Sequence, residues 1–142
     1  MPQIPKSRRQ NGAWFTGTNN NTAQPGNATV YMCTVVIPFK HRLLEAWYGR
    51  NKVIETGTVT VRLQWAATGT DRASATDVGT IANETASSNH TSNVIPLTDA
   101  ERSTERAANS VYFLEVIGTN SADRVENPHL NILVQTSPRA AL

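Results

Sequence analysis

Acidic residues are missing from the first 44 positions of this 142-residue chain: all 11 Asp and Glu lie from Glu45 onward. Lys6, Arg8, Arg9, Lys40 and Arg42 fall within that acid-free span, although the net charge of the whole is only +2. Such a leading segment is either a contact for an acidic surface or nucleic acid, or a solvated tail. Cysteine occurs once, as Cys33, which excludes an intrachain disulfide and suits synthesis in a reducing compartment such as a host cytoplasm. Long apolar runs are missing too. None approaches the roughly 18 residues of a helical membrane span, so no membrane partner is expected. The opening MPQIPKSRRQNG lacks the apolar stretch of a signal peptide.

Catalytic patterns are equally scarce. No Gly-x-Ser-x-Gly element and no phosphate-binding loop occur. His41, His90 and His129 are the only histidines, and none has a second metal ligand at ligand spacing. Cys33 lies inside a strand-like run, where a thiol is usually a small buried apolar group rather than a nucleophile. Glu101 and Glu105 are the nearest pair of carboxylates, but they alternate with Arg102 and Arg106 as in a salt-linked exposed turn. No catalytic residue, metal or cofactor is expected. Asn-x-Thr acceptors stand at Asn20, Asn27, Asn83 and Asn89. In an Asn/Thr-rich chain without a signal peptide, these read as chance.

What is present is β-structure. Val59, Val61, Leu63 and Trp65 alternate with Thr58, Thr60, Arg62 and Gln64, a period of two that puts one set on a core face. Strand-like runs are also predicted at residues 30–37, 41–50, 77–82, 90–95, 111–118 and 129–136. Residues 68–76 and 120–127 read as loops. Thr98-Asp99-Ala100-Glu101 has the form of a helix capping box and predicts one short helical turn. The whole predicts an all-β chain: a single antiparallel β-sandwich of seven or eight strands, with Greek-key or jelly-roll connections. The predicted domains are an extended arm over residues 1–29, rich in Pro, Gly and Asn, and a sandwich over residues 30–142.

Two strands break the in/out rule. In 111–118, Tyr112, Leu114 and Val116 share one face, yet Val111, Phe113 and Ile117 make the other apolar as well. Run 30–37 is also apolar on both sides. A second apolar face needs cover, from another subunit, from the arm, or from within by loop 68–76 or the helical turn. Val111, Phe113 and Ile117 are therefore the candidate oligomer interface. Trp47 and Trp65 are expected in the core. Trp14 and Phe15, next to Lys6, Arg8 and Arg9, make the arm a candidate dock for a partner protein. Three arm charges supply too few phosphate contacts for firm DNA binding, so no nucleic acid is expected.

The run Val36-Ile37-Pro38-Phe39-Lys40-His41-Arg42-Leu43-Leu44-Glu45-Ala46-Trp47 resembles a segment of small tailed-phage virion proteins of the head-decoration or cement type. The resemblance extends over about residues 30–136, through the alternating strand, Pro96-Leu97-Thr98 and two long closing strands. It implies a β-sandwich without catalytic residues, seated on the phage head surface as a homo-oligomer, a trimer favoured, with the major capsid protein or other virion proteins as partners. Rival readings are a tail, fibre or baseplate component, a carbohydrate-binding module, and last a polysaccharide-degrading enzyme.

Overall fold

The computed structural model describes residues 12–18, 25, 28–54, 57–81, 84 and 90–136. The chain runs β1 (Gly12–Thr18), β2 (Thr29–Ile37), β3 (His41–Arg50), β4 (Lys52–Ile54), β5 (Val59–Ala66) and β6 (Thr76–Ile81). It continues through β7 (Thr91–Val94), helix α1 (Asp99–Ser103), β8 (Glu105–Arg106), β9 (Ser110–Gly118), β10 (Arg124–Glu126) and β11 (His129–Thr136). A 3-10 turn, Arg72–Ser74, interrupts the β5–β6 connection.

Two antiparallel sheets carry the fold. Sheet I has the order β1-β11-β3-β7, with β8 also pairing β3, and sheet II the order β2-β9-β5-β6. The short pair β10-β4 stands apart. Leaving out β4, β8 and β10, successive strands fall in sheets I, II, I, II, II, I, II and I. This alternation, with β11 between β1 and β3 and β9 between β2 and β5, is a jelly roll. Its core is one cluster. Leu43, Ala46, Tyr48, Leu130 and Ile132 from sheet I face Ile37, Val61, Leu63, Tyr112 and Leu114 from sheet II. The predicted alternation of β5 holds as far as Leu63: Val59, Val61 and Leu63 are buried and Trp65 packs against the core, but Gln64, expected in water, is buried where the register with β6 shifts, its amide donating to Asp77. At α1, Thr98 Oγ1 accepts the Glu101 N–H at 3.1 Å, as the capping box predicts.

The boundary drawn at residue 29 needs correction. Seven residues of the expected arm form β1, which pairs with β11 in unbroken register from Gly12↔Gln135 to Thr18↔His129. Phe15 points inward, its ring 5.8 Å from that of Phe39. β1 also crosses β2 at close range: a Cβ on Gly17 would lie 2.4 Å from the Cys33 carbonyl oxygen. Only glycine allows that approach.

The same place explains the two-sided apolarity of β2. Its register with β9 shifts between Met32 and Val35, and Cys33 has φ +59°. This bulge buries Met32 and Cys33 in succession. Thr34 and Val36 are then exposed while Val35 and Ile37 face the core. The apolar second face of this strand is thus largely a change of phase, which a bulge produces by adding one residue to one strand.

Candidate interaction surfaces

The two outer faces differ in what covers their apolar side chains. On sheet II, Phe113 is only 1% exposed. Tyr31 meets its ring edge-on at 5.6 Å, and the Arg72 guanidinium lies 5.9 Å from its centroid. Arg72 comes from the 3-10 turn, which Asp71 caps by accepting the Ala73 N–H at 3.0 Å. Of the predicted interface, Phe113 is therefore covered by its own chain, through the loop between β5 and β6. Val111 and Ile117 remain half-buried beside it. Val36, the register partner of Val111, is 51% exposed. Arg62 and Glu115 pair at 3.4 Å across β5 and β9, as befits a solvated face.

Sheet I differs. Trp14 is 55% exposed and has Leu133 as its neighbour on β11, which in turn faces Glu45 on β3. A second row, Thr16-Asn131-Trp47-Val94, runs across all four strands. Trp47 lies on this outer face and not in the core as expected. The Leu43-to-Tyr48 stretch has no clean alternation because the β3–β11 register shifts at Leu133/Val134. Leu43, Ala46 and Tyr48 go inward, leaving Trp47 outside. The Trp47 indole N–H donates to Glu45 Oε1, and the Thr16 hydroxyl donates to Asn131 Oδ1 at 2.6 Å. Trp14, Glu45, Trp47, Ser92 and Asn131 line an open groove of about 410 Å³. Beyond it, the His129 ring lies over Gly49, where any Cβ would meet Nε2 at 2.0 Å.

Of the predicted arm contacts, Trp14 and Phe15 thus sit in β1, on opposite faces of one strand. Lys6, Arg8 and Arg9 lie outside the described residues.

Several buried polar groups bond one another or the backbone. His41 is fully buried. Its Nδ1–H donates to the Phe39 carbonyl at 2.8 Å, so Nε2 accepts the Tyr112 hydroxyl at 2.7 Å. Burial pushes the His41 pKa down; the Phe39 hydrogen bond opposes this, and the Arg106 charge adds to it. Arg106 itself bonds Glu101 at 2.6 Å and stacks on Trp65, 4.2 Å from the ring centroid. The salt link predicted from the Glu/Arg alternation is present, but Arg106 lies in β8 with a largely buried side chain and not in an exposed turn. Cys33 Sγ donates to the Pro128 carbonyl at 3.1 Å, and burial raises its pKa to about 12. A thiol so placed is a poor nucleophile. Arg50 and Glu84, both nearly fully buried, pair at 2.5 Å beside a cleft of about 480 Å³ between β6 and β7. Asp123 accepts three backbone N–H groups, from Gly57, Thr119 and Asn120, each at 3.0 Å. Among the described residues, no group of three or more His, Cys, Asp or Glu is placed to hold a metal ion.

No family model matches the sequence, and no curated protein does. Solved structures give remote likenesses. The crystal structure of PirA aligns over 88% of this chain and 94% of its own, at 12% identity and TM-score 0.40. The structure of infectious bursal disease virus Gx strain aligns over 95% of this chain at 13% identity and TM-score 0.43, and that of the Gt strain over 97% at 12% and 0.39. This chain spans 36% and 43% of those two viral chains.

Proposed function

We propose that this chain is a structural subunit of a virus particle, and more specifically a head-decoration protein of a tailed phage. The observation that carries the reading is the jelly-roll strand order, an architecture recurrent in viral capsid domains. The motif resemblance around residues 36–47 adds to it. The mechanism is mechanical. Outward apolar groups such as Val36, beside Val111, bury surface against neighbouring subunits, and avidity among linked copies holds the protein to the lattice. A homo-oligomer, trimeric by preference, seats on the major capsid protein. The basic cluster Lys6, Arg8 and Arg9 meets an acidic protein surface rather than DNA or membrane. No catalytic step is part of this reading.

The test is mass spectrometry of density-purified particles from cells that make this chain. The expected result is a copy number comparable to that of the shell subunit. Recovery in the tail fraction at low copy number would favour a tail component, and absence from particles would overturn the proposal.

A further inference from the structure

The groove on the outer face of sheet I has a composition that neither the fold nor the assembly reading requires. Trp14 stands on β1 and Trp47 on β3, with β11 between them. Two inter-strand steps and a two-residue offset put their Cα atoms about 12 Å apart. One pyranose ring does not bridge that distance, but a short oligosaccharide does. The Trp47 indole is held by its N–H to Glu45, while Trp14 is 55% exposed. Polar side chains lie between them, beside Leu133. Thr16 donates to the Asn131 carbonyl oxygen, which leaves the Asn131 amide as a donor. Ser92 adds a hydroxyl that both donates and accepts, and Glu45 adds acceptor oxygens.

An apolar protein patch laid over this groove would strip water from the Glu45 carboxylate and the Asn131 amide without replacing their hydrogen bonds. A sugar chain supplies both parts. Its C–H faces stack on indoles and its hydroxyls donate and accept around the rim. Charge narrows the class. Glu45 is the one charged residue of the five lining the groove, so an anionic sugar meets like charge. We propose that the groove between Trp14 and Trp47 binds a neutral oligosaccharide, with an indole under a ring at each end and Asn131, Ser92 and Glu45 reading the hydroxyls between. This does not depend on the virion reading, since a glycan site would serve a free binding module equally.

The test is titration of the full chain with chitohexaose, cellohexaose and maltohexaose, followed by tryptophan fluorescence and calorimetry, with a galacturonic acid hexamer as the anionic control. At least one neutral hexamer should bind and shift the emission, with its monosaccharide far weaker. Trp14→Ala should weaken binding about tenfold, equivalent to about 1.4 kcal/mol. Asn131→Ala should also weaken it, and Thr34→Ala, exposed on the opposite sheet, should leave it unchanged. Failure of all three neutral hexamers to bind would overturn the proposal. So would binding that survives both Trp14→Ala and Asn131→Ala in protein with a wild-type melting profile. Equal binding of the anionic hexamer would overturn its charge selection.

Discussion

The two outer faces of the sandwich both carry aromatic side chains and cover them differently. On sheet II, the ring that would face water, Phe113, lies against Tyr31 and under Arg72. On sheet I, Trp14 and Val94 stand 55% and 49% exposed, with Trp47 half-buried between them. The difference comes from the connections. The β5–β6 loop folds its 3-10 turn back over sheet II, and among the described residues no connection does so over the groove of sheet I. Apolar density along a strand therefore does not locate the open surface. What a neighbouring loop covers decides it.

The sharpest way to break this comparison is to truncate one aromatic from each face. Phe113→Ala should cost about 3–5 kcal/mol in urea unfolding, the range for a buried ring. Trp14→Ala should cost under about 1 kcal/mol, as exposed substitutions usually do. If Phe113→Ala kept the wild-type midpoint and altered only the sedimenting mass, Phe113 would belong to a subunit interface after all.

Next in size is the seam between β1 and β2. Gly17→Val places a branched side chain where even a Cβ would sit 2.4 Å from the Cys33 carbonyl. Overpacking of this kind costs about 1–3 kcal/mol. A neutral Gly17→Val in chemical denaturation would mean that β1 is not docked on the body, and residues 12–18 would return to the arm.

A smaller effect depends on pH. His41 is neutral in the fold and its pKa is lowered, chiefly by burial. Tyr112, Phe39 and Arg106 surround it, and Arg106 is paired with Glu101. Below about pH 6.5 the unfolded chain takes up a proton that the folded chain refuses. Stability should then fall with pH, by at most about 1.4 kcal/mol per unit, until the folded pKa is passed. His41→Gln should flatten that slope in unfolding measured from pH 7.5 to 5. An unchanged slope would assign the acid sensitivity to other groups.

The sequence was legible wherever one period held. β5, alternating as far as Leu63, and β11 needed no tertiary information, and β9 was legible from its β-branched and aromatic composition instead. The Thr98 cap was readable because its hydrogen bond is local. The failures share a cause: structure set by another part of the chain. β1 is a strand because β11 offers it an edge, and Gly12–Thr18 alone carries little sign of that. The β2 bulge depends on Cys33 at positive φ, which composition does not announce. Trp47 was misplaced for the same reason, since its face is fixed by the register shift against β11. Polar residues at strand positions, Glu45, Ser92 and Asn131 among them, are the signal of an outer surface there.

The smallest predicted effect tests the cover itself. Arg72 is exposed and holds its guanidinium over the Phe113 ring, a contact worth about 0.5–1 kcal/mol at such a site. Arg72→Ala should therefore leave the melting temperature almost unchanged. It should nevertheless make sheet II more like sheet I, because the ring loses the group lying over it while Tyr31 still holds its edge. Binding of a hydrophobic dye should rise in Arg72→Ala, and should rise less when Phe113→Leu is added, since less aromatic surface is then uncovered. Dye binding equal to wild type would show that the rest of the β5–β6 loop suffices as cover, and that Arg72 is a passenger on the turn rather than the lid over the ring.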